Sequence, residues 1–159
     1  MHRKASSEVA LAEFRHHLRR FLHFSEGAAR KAGLEPHQHQ LLLALRSGPP
    51  GEHLTIGGLA ERLMLRHNST VELVNRMARR NLVRRVRHRV DRRRVFVHLT
   101  ARGTGVLVRL SRHHLAELRS AGPQLIRALE SVVTPPSSAS PPSLRPRPLR
   151  RDKVSRKKK

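Results

Sequence analysis

Hydrophobic residues recur every three or four positions through most of the first 80 residues, which predicts a series of amphipathic helices. The first helix is expected to start at Ser7, a suitable N-cap residue, and to end near Ala32, with Gly33 as its stop. Glu35-Pro36 is typical of a second helix start, and a Gly- and Pro-rich loop at 47–51 should follow that helix. The apolar faces of these two helices comprise Leu11, Phe14, Leu18, Phe21, Leu22, Ala28, Leu41, Leu42 and Leu45.

Two shorter helices are predicted next. Leu54-Thr55 suggests a short strand that leads into a third helix capped by Thr55, in which Gly57 and Gly58 each cost up to about 1 kcal/mol relative to Ala. The fourth helix should begin at Ser69-Thr70-Val71-Glu72, which matches a capping box, and should end at Asn81 in the left-handed conformation. The inward faces of the two helices are expected to consist of Leu59, Ala60, Leu63, Leu73, Val74 and Met77.

After Asn81 the hydrophobic pattern alternates, which is typical of strands. One strand is predicted from Leu82-Val83 to about His88, and a second contains Val95, Val97 and Leu99. The charged segment 89–94 lies between them. The pattern therefore predicts an antiparallel hairpin with an arginine-rich tip.

Helical spacing returns after the hairpin. Thr100 is the expected cap of a fifth helix, and Gly122-Pro123 is expected to break it and to start a sixth. The apolar residues of these helices are Val106, Leu107, Leu110, Leu115, Leu118, Leu125, Ile126, Leu129 and Val132. From residue 134 onward Pro, Ser and basic residues replace the hydrophobic pattern, so residues 134–159 are interpreted as a disordered basic tail.

The charge of the chain indicates a polyanionic partner. Its 159 residues include 34 Lys or Arg against 11 Asp or Glu, a net charge of +23. Residues 66–102 contain twelve Arg against Glu72 and Asp91, so the charge concentrates around the fourth helix and the hairpin. Codon bias in a GC-rich genome is an alternative explanation for the preference for Arg over Lys. It does not explain why the arginines cluster in residues 66–102.

Several functional classes are disfavoured by what the sequence lacks. It has no cysteine, which excludes disulfides, thiolate catalysis and Cys-type zinc sites. It shows no long apolar segment, no signal peptide, no Gly-rich phosphate loop and no nucleophile elbow. A cytoplasmic protein is expected, with no cofactor and no enzymatic activity.

The second and third helices, the capped fourth helix and the basic hairpin follow each other in the order of a winged helix-turn-helix. The sequence therefore predicts this motif within a mainly α protein that has a small β-hairpin (α+β). In such folds the second helix of the motif enters the major groove and presents its N-terminal residues to base edges. Asn and Arg have the bidentate geometry that matches adenine and guanine. Arg79 and Arg80, near the far end, are expected to contact phosphate. The candidate DNA-binding residues of this helix are Arg66, His67, Asn68, Ser69, Thr70, Asn75, Arg76 and Arg79. A solvated surface helix is the simpler alternative.

The tip of the hairpin has the composition of a minor-groove wing. The candidate wing residues are Arg89, Asp91, Arg92, Arg93 and Arg94. Asp91 lies among arginines and is suited to hold Arg93 across the turn. The competing interpretation is that Asp91 simply relieves charge repulsion.

These motifs resemble the MarR family of bacterial transcriptional regulators. The resemblance is carried by residues 59–85, which include Ser69-Thr70-Val71-Glu72-Leu73-Val74-Asn75-Arg76-Met77, and by Asp91-Arg92-Arg93 followed by Leu99-Thr100-Ala101-Arg102-Gly103. It extends over about residues 8–133. Asn81 stands where the family usually has Gly, and the basic tail is outside the family pattern.

The resemblance implies a domain at residues 1–133, with a DNA-binding lobe at about 36–99 and dimerisation helices at about 8–32 and 100–133. It also implies a homodimer that binds a pseudo-palindromic DNA operator, most often as a repressor. A pocket between the dimerisation and DNA-binding regions would accept a small aromatic or lipophilic effector.

Two other functions remain open from the sequence. Twelve histidines are present, and His113 with Glu117 forms an i,i+4 pair of possible zinc ligands, so a zinc-responsive regulator of the same fold is one alternative. Adjacent histidines point in different directions, however, which favours no metal site. The +8 tail suits the other alternative, an architectural protein that binds DNA without sequence preference.

Overall fold

The computed structural model describes residues 7–47, 54–87 and 94–134. Five helices and one hairpin follow each other in the order α1 Ser7–Lys31, α2 Pro36–Arg46, α3 Ile56–Leu63, α4 His67–Arg79, β1 Val83–Arg87, β2 Val95–Leu99 and α5 Ala101–Val133. The mainly α architecture with a small antiparallel hairpin confirms the predicted fold class. None of the helices in these ranges is long and apolar enough to cross a membrane.

The core lies where α2, α3 and α4 meet the base of the hairpin. Most of the predicted inward residues of α2, α3 and α4 are buried in it, namely Leu41, Leu42, Leu59, Leu73, Val74 and Met77, together with Leu82 and Val97 at the hairpin. Leu45 and Leu63 are partly buried and pack against this core. The end of α1 and the first turns of α5 add Ala29, Leu107 and Leu110. The helical spacing and the alternation therefore identified the core of α2, α3, α4 and the hairpin, whereas several predicted apolar residues of the long helices, such as Leu11 and Ile126, are exposed in the single chain.

The hairpin forms at the predicted position, and the segment just before α3 bonds to its second strand. Val83 pairs with Leu99 and Arg87 with Val95 in an antiparallel register. Thr55 forms an isolated bridge to Phe96, and the Val97 amide donates to the Leu54 carbonyl at 3.0 Å. This confirms the short strand expected just before α3, and it attaches the hairpin to that helix.

The caps of α3 and α5 are as predicted. The hydroxyl of Thr55 accepts a bond from the Gly58 amide at 3.2 Å, and that of Thr100 accepts one from the Gly103 amide at 3.0 Å. Each cap satisfies an amide that would otherwise lack a partner in the first helical turn.

The predicted break at Gly122-Pro123 is wrong, because α5 runs without interruption from Ala101 to Val133. Proline normally disfavours helical backbone in the preceding residue by a clash with its Cβ, and Gly122 has no Cβ. Burial of Ala128 beyond the proline and the packing of α5 along α1 add support for a continuous helix. The chain thus has one long C-terminal helix in place of the predicted fifth and sixth.

Candidate DNA interface

Helix α4 has one buried face and one polar face. Thr70, Leu73, Val74 and Met77 are buried against the core. The opposite face exposes Arg66, His67, Asn68, Ser69, Glu72, Arg76 and Arg79 to solvent, and Asn75 is half-buried. The polar face contains several cations and a single carboxylate, so it is a positively charged surface.

The predicted capping box at Ser69 and Glu72 is wrong. Helix α4 begins two residues earlier, at His67, and its N-cap is Arg66, whose side chain makes no capping bond in the described chain. Ser69 is therefore already inside the first turn, whereas an N-cap needs non-helical backbone. The early start follows from a tight turn after α3, in which Met64 is left-handed (φ 54°) and the Leu65 amide donates to the Ala60 carbonyl.

Thr70 does not belong to the exposed face on which the sequence analysis placed it. Its side chain is 0% exposed, and its hydroxyl donates to the Arg66 carbonyl at 3.1 Å. This bond lies within the first turn of α4, where it stabilises the helix start. The Thr70 side chain is consequently out of reach of a molecule bound to the outer face.

Asn75 is engaged by a residue that the sequence analysis did not select. The guanidinium of Arg85 on β1 donates to the Asn75 amide oxygen at 2.7 Å. The contact joins α4 to the hairpin and orients the Asn75 side chain. Apart from the density of arginine in β1, the sequence carries no signal for this pairing, because it depends on how the strand crosses the helix.

The wing comprises β1, β2 and the segment between them, residues 83–99. Arg89, Asp91, Arg92 and Arg93 lie outside the described residues, so the contact between Asp91 and Arg93 stays a prediction. Arg94 is exposed at the start of β2, and its guanidinium lies 5.6 Å from the centre of the Phe96 ring. This cation–π contact holds Arg94 beside the strand.

The C-terminal end of α4 is attached to both long helices. The Arg80 guanidinium donates to the Gln38 side chain at 2.9 Å and to the Gly33 carbonyl at 2.8 Å, at the junction of α1 and α2. Asn81 is left-handed (φ 54°) as predicted, and its carbonyl accepts the Thr100 hydroxyl at 2.7 Å. Two guanidinium nitrogens of Arg80 are engaged in these internal bonds, and the phosphate contact expected for this exposed residue stays a prediction.

A histidine pair lies where α1, α2 and α5 meet. The His39 and His114 ring centres are 4.7 Å apart, and His114 is bonded to the Leu110 carbonyl and the Ser25 hydroxyl. His39 is 2% exposed, and its Nε2 has no hydrogen-bond partner among the described residues. Burial, and secondarily the charge of a protonated His114, lower the pKa of His39 from 6.5 to about 4.

The predicted zinc candidates are not brought together with further ligands. Among the residues that the structure describes, no group of three or more His, Asp or Glu side chains is placed to hold a metal. His113 is exposed on α5, one turn before the half-buried Glu117. The geometry therefore adds no support for the zinc-responsive alternative.

The comparison with protein families agrees with the fold. The sequence model of the MarR family matches residues 32–94, which include α2, α3, α4 and β1. No curated protein is similar enough in sequence to give a match.

Solved structures extend the similarity to most of the chain. AbsC, a MarR family transcriptional regulator from Streptomyces coelicolor, is 26% identical, with 84% of this chain and 94% of AbsC covered and a TM-score of 0.64. An S. aureus MepR mutant bound to an oligodeoxyribonucleotide is 18% identical over 70% of this chain and 80% of its own, with a TM-score of 0.60. The YusO protein of Bacillus subtilis is 20% identical, with 65% of this chain and 71% of YusO covered and a TM-score of 0.55.

Proposed function

We propose that this chain is a MarR-type regulator that binds specific sequences in double-stranded DNA, a proposal supported by the family match of residues 32–94 and by the fold. The observation that carries the proposal is the exposed polar face of α4 beside the arginines of β1. A helix with a buried apolar stripe and an outer face of Arg, Asn and Ser has the width and chemistry to enter a major groove. The MepR mutant of the same fold was solved with DNA, which supports this assignment.

Each candidate residue has a role that follows from its position on this surface. Arg66, His67, Asn68 and Ser69 occupy the start of α4, the end that approaches base edges in helix-turn-helix proteins. Arg76 is exposed one to two turns further along, where it would contact a base or a phosphate, and Arg79 would contact phosphate. Asn75 would read a base through its amide nitrogen, because its oxygen is bonded to Arg85.

The wing completes the proposed interface. Arg89, Asp91, Arg92, Arg93 and Arg94 would contact the minor groove beside the site occupied by α4. Arg94 is the described member of this set, and it is exposed while its guanidinium lies over the Phe96 ring. The arginines exposed on β1, which are Arg84, Arg85 and Arg87, would add contacts to the DNA backbone.

The active form is proposed to be a homodimer. Helices α1 and α5 expose large apolar side chains that a monomer would leave in water, namely Val9, Leu11, Leu22, Val108, Leu115, Leu118, Ile126, Leu129, Val132 and Val133. Most of those on α5 lie in its C-terminal half. A second copy that covered this face would bury it and would place two α4 helices about one DNA turn, or ~34 Å, apart.

The proposed regulatory role is that of a repressor, with an operator affinity that falls when a small effector binds. The effector would act by shifting the dimer toward a population in which the two α4 helices no longer match successive grooves. No enzymatic activity is part of the proposal.

The deciding experiment is selection of bound sequences from random duplex DNA, followed by footprinting with excess competitor DNA. We expect an inverted repeat with half-sites one helical turn apart. Arg76→Ala should relax preference at one base position by about 1–3 kcal/mol if this residue reads a base, whereas a uniform loss would assign it to phosphate.

Coating of all sequences without a preferred site would contradict the proposal. It would favour the architectural protein, the alternative that the net charge of +23 supports.

A further inference from the structure

Helix α5 carries all of its arginines on one side. Successive residues of an α-helix are about 100° apart, so residues three, four or seven positions apart share a face. The arginines of α5 fall within an arc of about 100° on this basis, and each of them is exposed. This face is called the α5 stripe, and its arginines are Arg102, Arg109, Arg112, Arg119 and Arg127.

Small side chains separate the arginines of the α5 stripe. The same arc contains Ala101, Gly105, Ala116, Ser120 and Pro123, none of which projects as far as an arginine. At 1.5 Å per residue the stripe is roughly 37 Å long, close to the ~34 Å of one DNA turn. It is therefore a long basic surface that is open to a rod-shaped partner.

The stripe faces away from the rest of the chain. The buried residues Leu107, Leu110 and Ala128 lie on the opposite side of α5. The core that the described residues form contains no residue of α5 beyond Leu110. The C-terminal half of the stripe thus extends beyond the lobe that contains α4 and the wing.

The charges of the stripe have no compensation within the helix. Ion pairs on a helix surface form between residues three or four positions apart, and α1 uses this arrangement in the Glu26–Arg30 pair at 3.1 Å. No stripe arginine has a carboxylate four positions before or after it, and the arc contains one acid, Glu130, next to its end. None of the five arginines forms an ion pair or a hydrogen bond with another described residue. The uncompensated charge distinguishes this face from an ordinary solvated helix surface.

The sequence that follows α5 carries charge of the same sign. Residues 134–159 contain nine basic residues and one acid, a net charge of +8. This segment starts directly after the end of α5, so the basic stripe is followed along the chain by a second basic region. Both lie outside the surface that α4 and the wing form in the proposed interface.

We propose that the α5 stripe binds the phosphate backbone of a second DNA duplex while α4 holds the first, so that one dimer joins two DNA segments. Guanidinium groups bind phosphate through paired hydrogen bonds. Arg112 and Arg119 are about 10 Å apart along the helix axis, so a small anion could neutralise only one or two arginines, whereas a duplex could meet them all. Contacts to phosphate carry no sequence information, so the second duplex would be bound without sequence preference.

The proposed dimer leaves the stripe in solvent. The exposed apolar residues of the dimer face, such as Leu115, Leu118 and Leu129, lie between the stripe and the buried side of α5. A second copy on that face would bury them without covering the centre of the stripe. The inference rests on the proposed function, since an operator bound to α4 leaves α5 as the remaining basic surface.

A count of duplexes per dimer tests the proposal. Full-length protein is mixed with one equivalent of the selected operator duplex and then titrated with a fluorescent duplex of unrelated sequence. Sedimentation velocity should show a complex of one dimer with both duplexes, and the affinity for the second duplex should fall steeply with salt because counterions are released.

The triple variant Arg112→Gln, Arg119→Gln and Arg127→Gln should weaken capture of the second duplex at least tenfold. Its affinity for the operator should change less than twofold, because these residues lie outside the α4 and wing surface. Circular dichroism should show unchanged helix content.

The matched control removes three exposed arginines from α1, as Arg15→Gln, Arg19→Gln and Arg20→Gln. It changes the net charge equally and should weaken capture less than threefold. Equal losses in the two triple variants would assign capture to net charge and overturn the stripe as a site. A single duplex per dimer at low salt would also overturn it.

Substitutions in the basic segment separate it from the stripe. If Lys157→Gln, Lys158→Gln and Lys159→Gln together abolish capture while the stripe variant retains it, the second site belongs to that segment and the proposal is wrong.

The failure of this inference is distinguishable from the failure of the proposed function. A protein with a preferred site but one duplex per dimer would contradict only the stripe, whereas the absence of any preferred site would contradict the proposed function. In that second case a duplex of random sequence replaces the operator, and the count of duplexes per dimer still decides about the stripe.

Discussion

At the scale of single residues, Gly103 determines how closely α5 approaches the turn after α4. A Cβ at this position would overlap the Leu82 carbonyl oxygen and lie 2.9 Å from the carbonyl carbon. The same oxygen accepts the Thr100 amide at 3.1 Å, so the backbone cannot move away without loss of that bond. This explains physically why the Leu99-Thr100-Ala101-Arg102-Gly103 motif ends in glycine.

Gly103→Ala should lower the free energy of unfolding by about 3 kcal/mol, because overlap with backbone atoms cannot be relieved by a side-chain rotation. Urea denaturation at fixed protein concentration measures this change in the free energy of unfolding. Gly105→Ala is the matched control, since its Cβ would contact only the end of the Arg109 side chain at 3.7 Å. The control should be neutral or up to about 1 kcal/mol more stable. Equal stability of the two variants would argue against the close approach.

His39 makes the stability of the fold depend on pH. The folded state holds His39 neutral, with its pKa lowered to about 4 by burial, whereas the unfolded chain takes up a proton near pH 6.5. Protons therefore favour the unfolded state as the pH falls from about 6.5 to about 4, and stability is lost in that window.

Between pH 7 and pH 5, His39 should account for about 2 kcal/mol of lost stability. His39→Leu keeps an apolar side chain of similar size in the site and removes the titration. Denaturation curves at both pH values should show a smaller loss for the variant than for the parent. An identical loss in both proteins would assign the pH dependence to other histidines.

At the scale of elements, sequence patterns predicted the type and order of the helices and strands better than their ends. Helix α3 starts at its predicted cap because Thr55 bonds a local amide. The start of α4 was misplaced because it depends on a turn that brings Met64 to a left-handed conformation and packs Leu65 against the core. Local cap motifs therefore predict helix ends only where no tighter tertiary turn competes.

Helix α5 contains a proline that weakens it. Pro123 lacks the amide that would donate to the carbonyl four residues earlier, and its ring crowds that carbonyl. The helix nevertheless continues to Val133, supported by Gly122 before the proline and by packing on α1.

Pro123→Ala should raise the unfolding free energy by about 1–3 kcal/mol, since it restores that bond to an exposed helical position. Thermal unfolding followed by far-ultraviolet circular dichroism measures the change. Gly27→Ala on α1, where an added Cβ would meet nothing within 4 Å, controls for general helix propensity and should add no more than about 1 kcal/mol. A lower melting temperature for Pro123→Ala would show that the proline shape is needed at this position.

At the scale of the whole molecule, α4 is joined to both long helices. Arg80 connects it to the junction of α1 and α2, and Thr100 connects the turn at Asn81 to the start of α5. A movement of the long helices would therefore reach α4 from two sides. This arrangement suits the proposed regulator, in which an event away from DNA would alter the position of α4.

The proposed dimer should dissociate when a charge enters its apolar face. Ile126 is 56% exposed in the single chain, and Ile126→Glu would bury an unpaired carboxylate in the dimer. The dimer dissociation constant should rise by about 100-fold or more, as measured by sedimentation equilibrium. Gln124→Glu introduces the same charge at a neighbouring exposed polar position and should have little effect. A monomeric parent protein, or a dimer insensitive to Ile126→Glu, would contradict the proposal.

The sequence by itself determined most of the core residues of α2, α3, α4 and the hairpin, the order of the elements, the left-handed stop at Asn81 and the basic outer face of α4. These properties depend on the spacing of apolar residues and on conformational preferences within a few positions. Only the tertiary structure decided that Thr70 is buried, that Asn75 bonds to Arg85, that Arg80 bonds to Gly33 and that α5 is continuous. The physical reason is separation along the chain, since Arg80 meets a carbonyl 47 residues away and no local pattern contains such a contact.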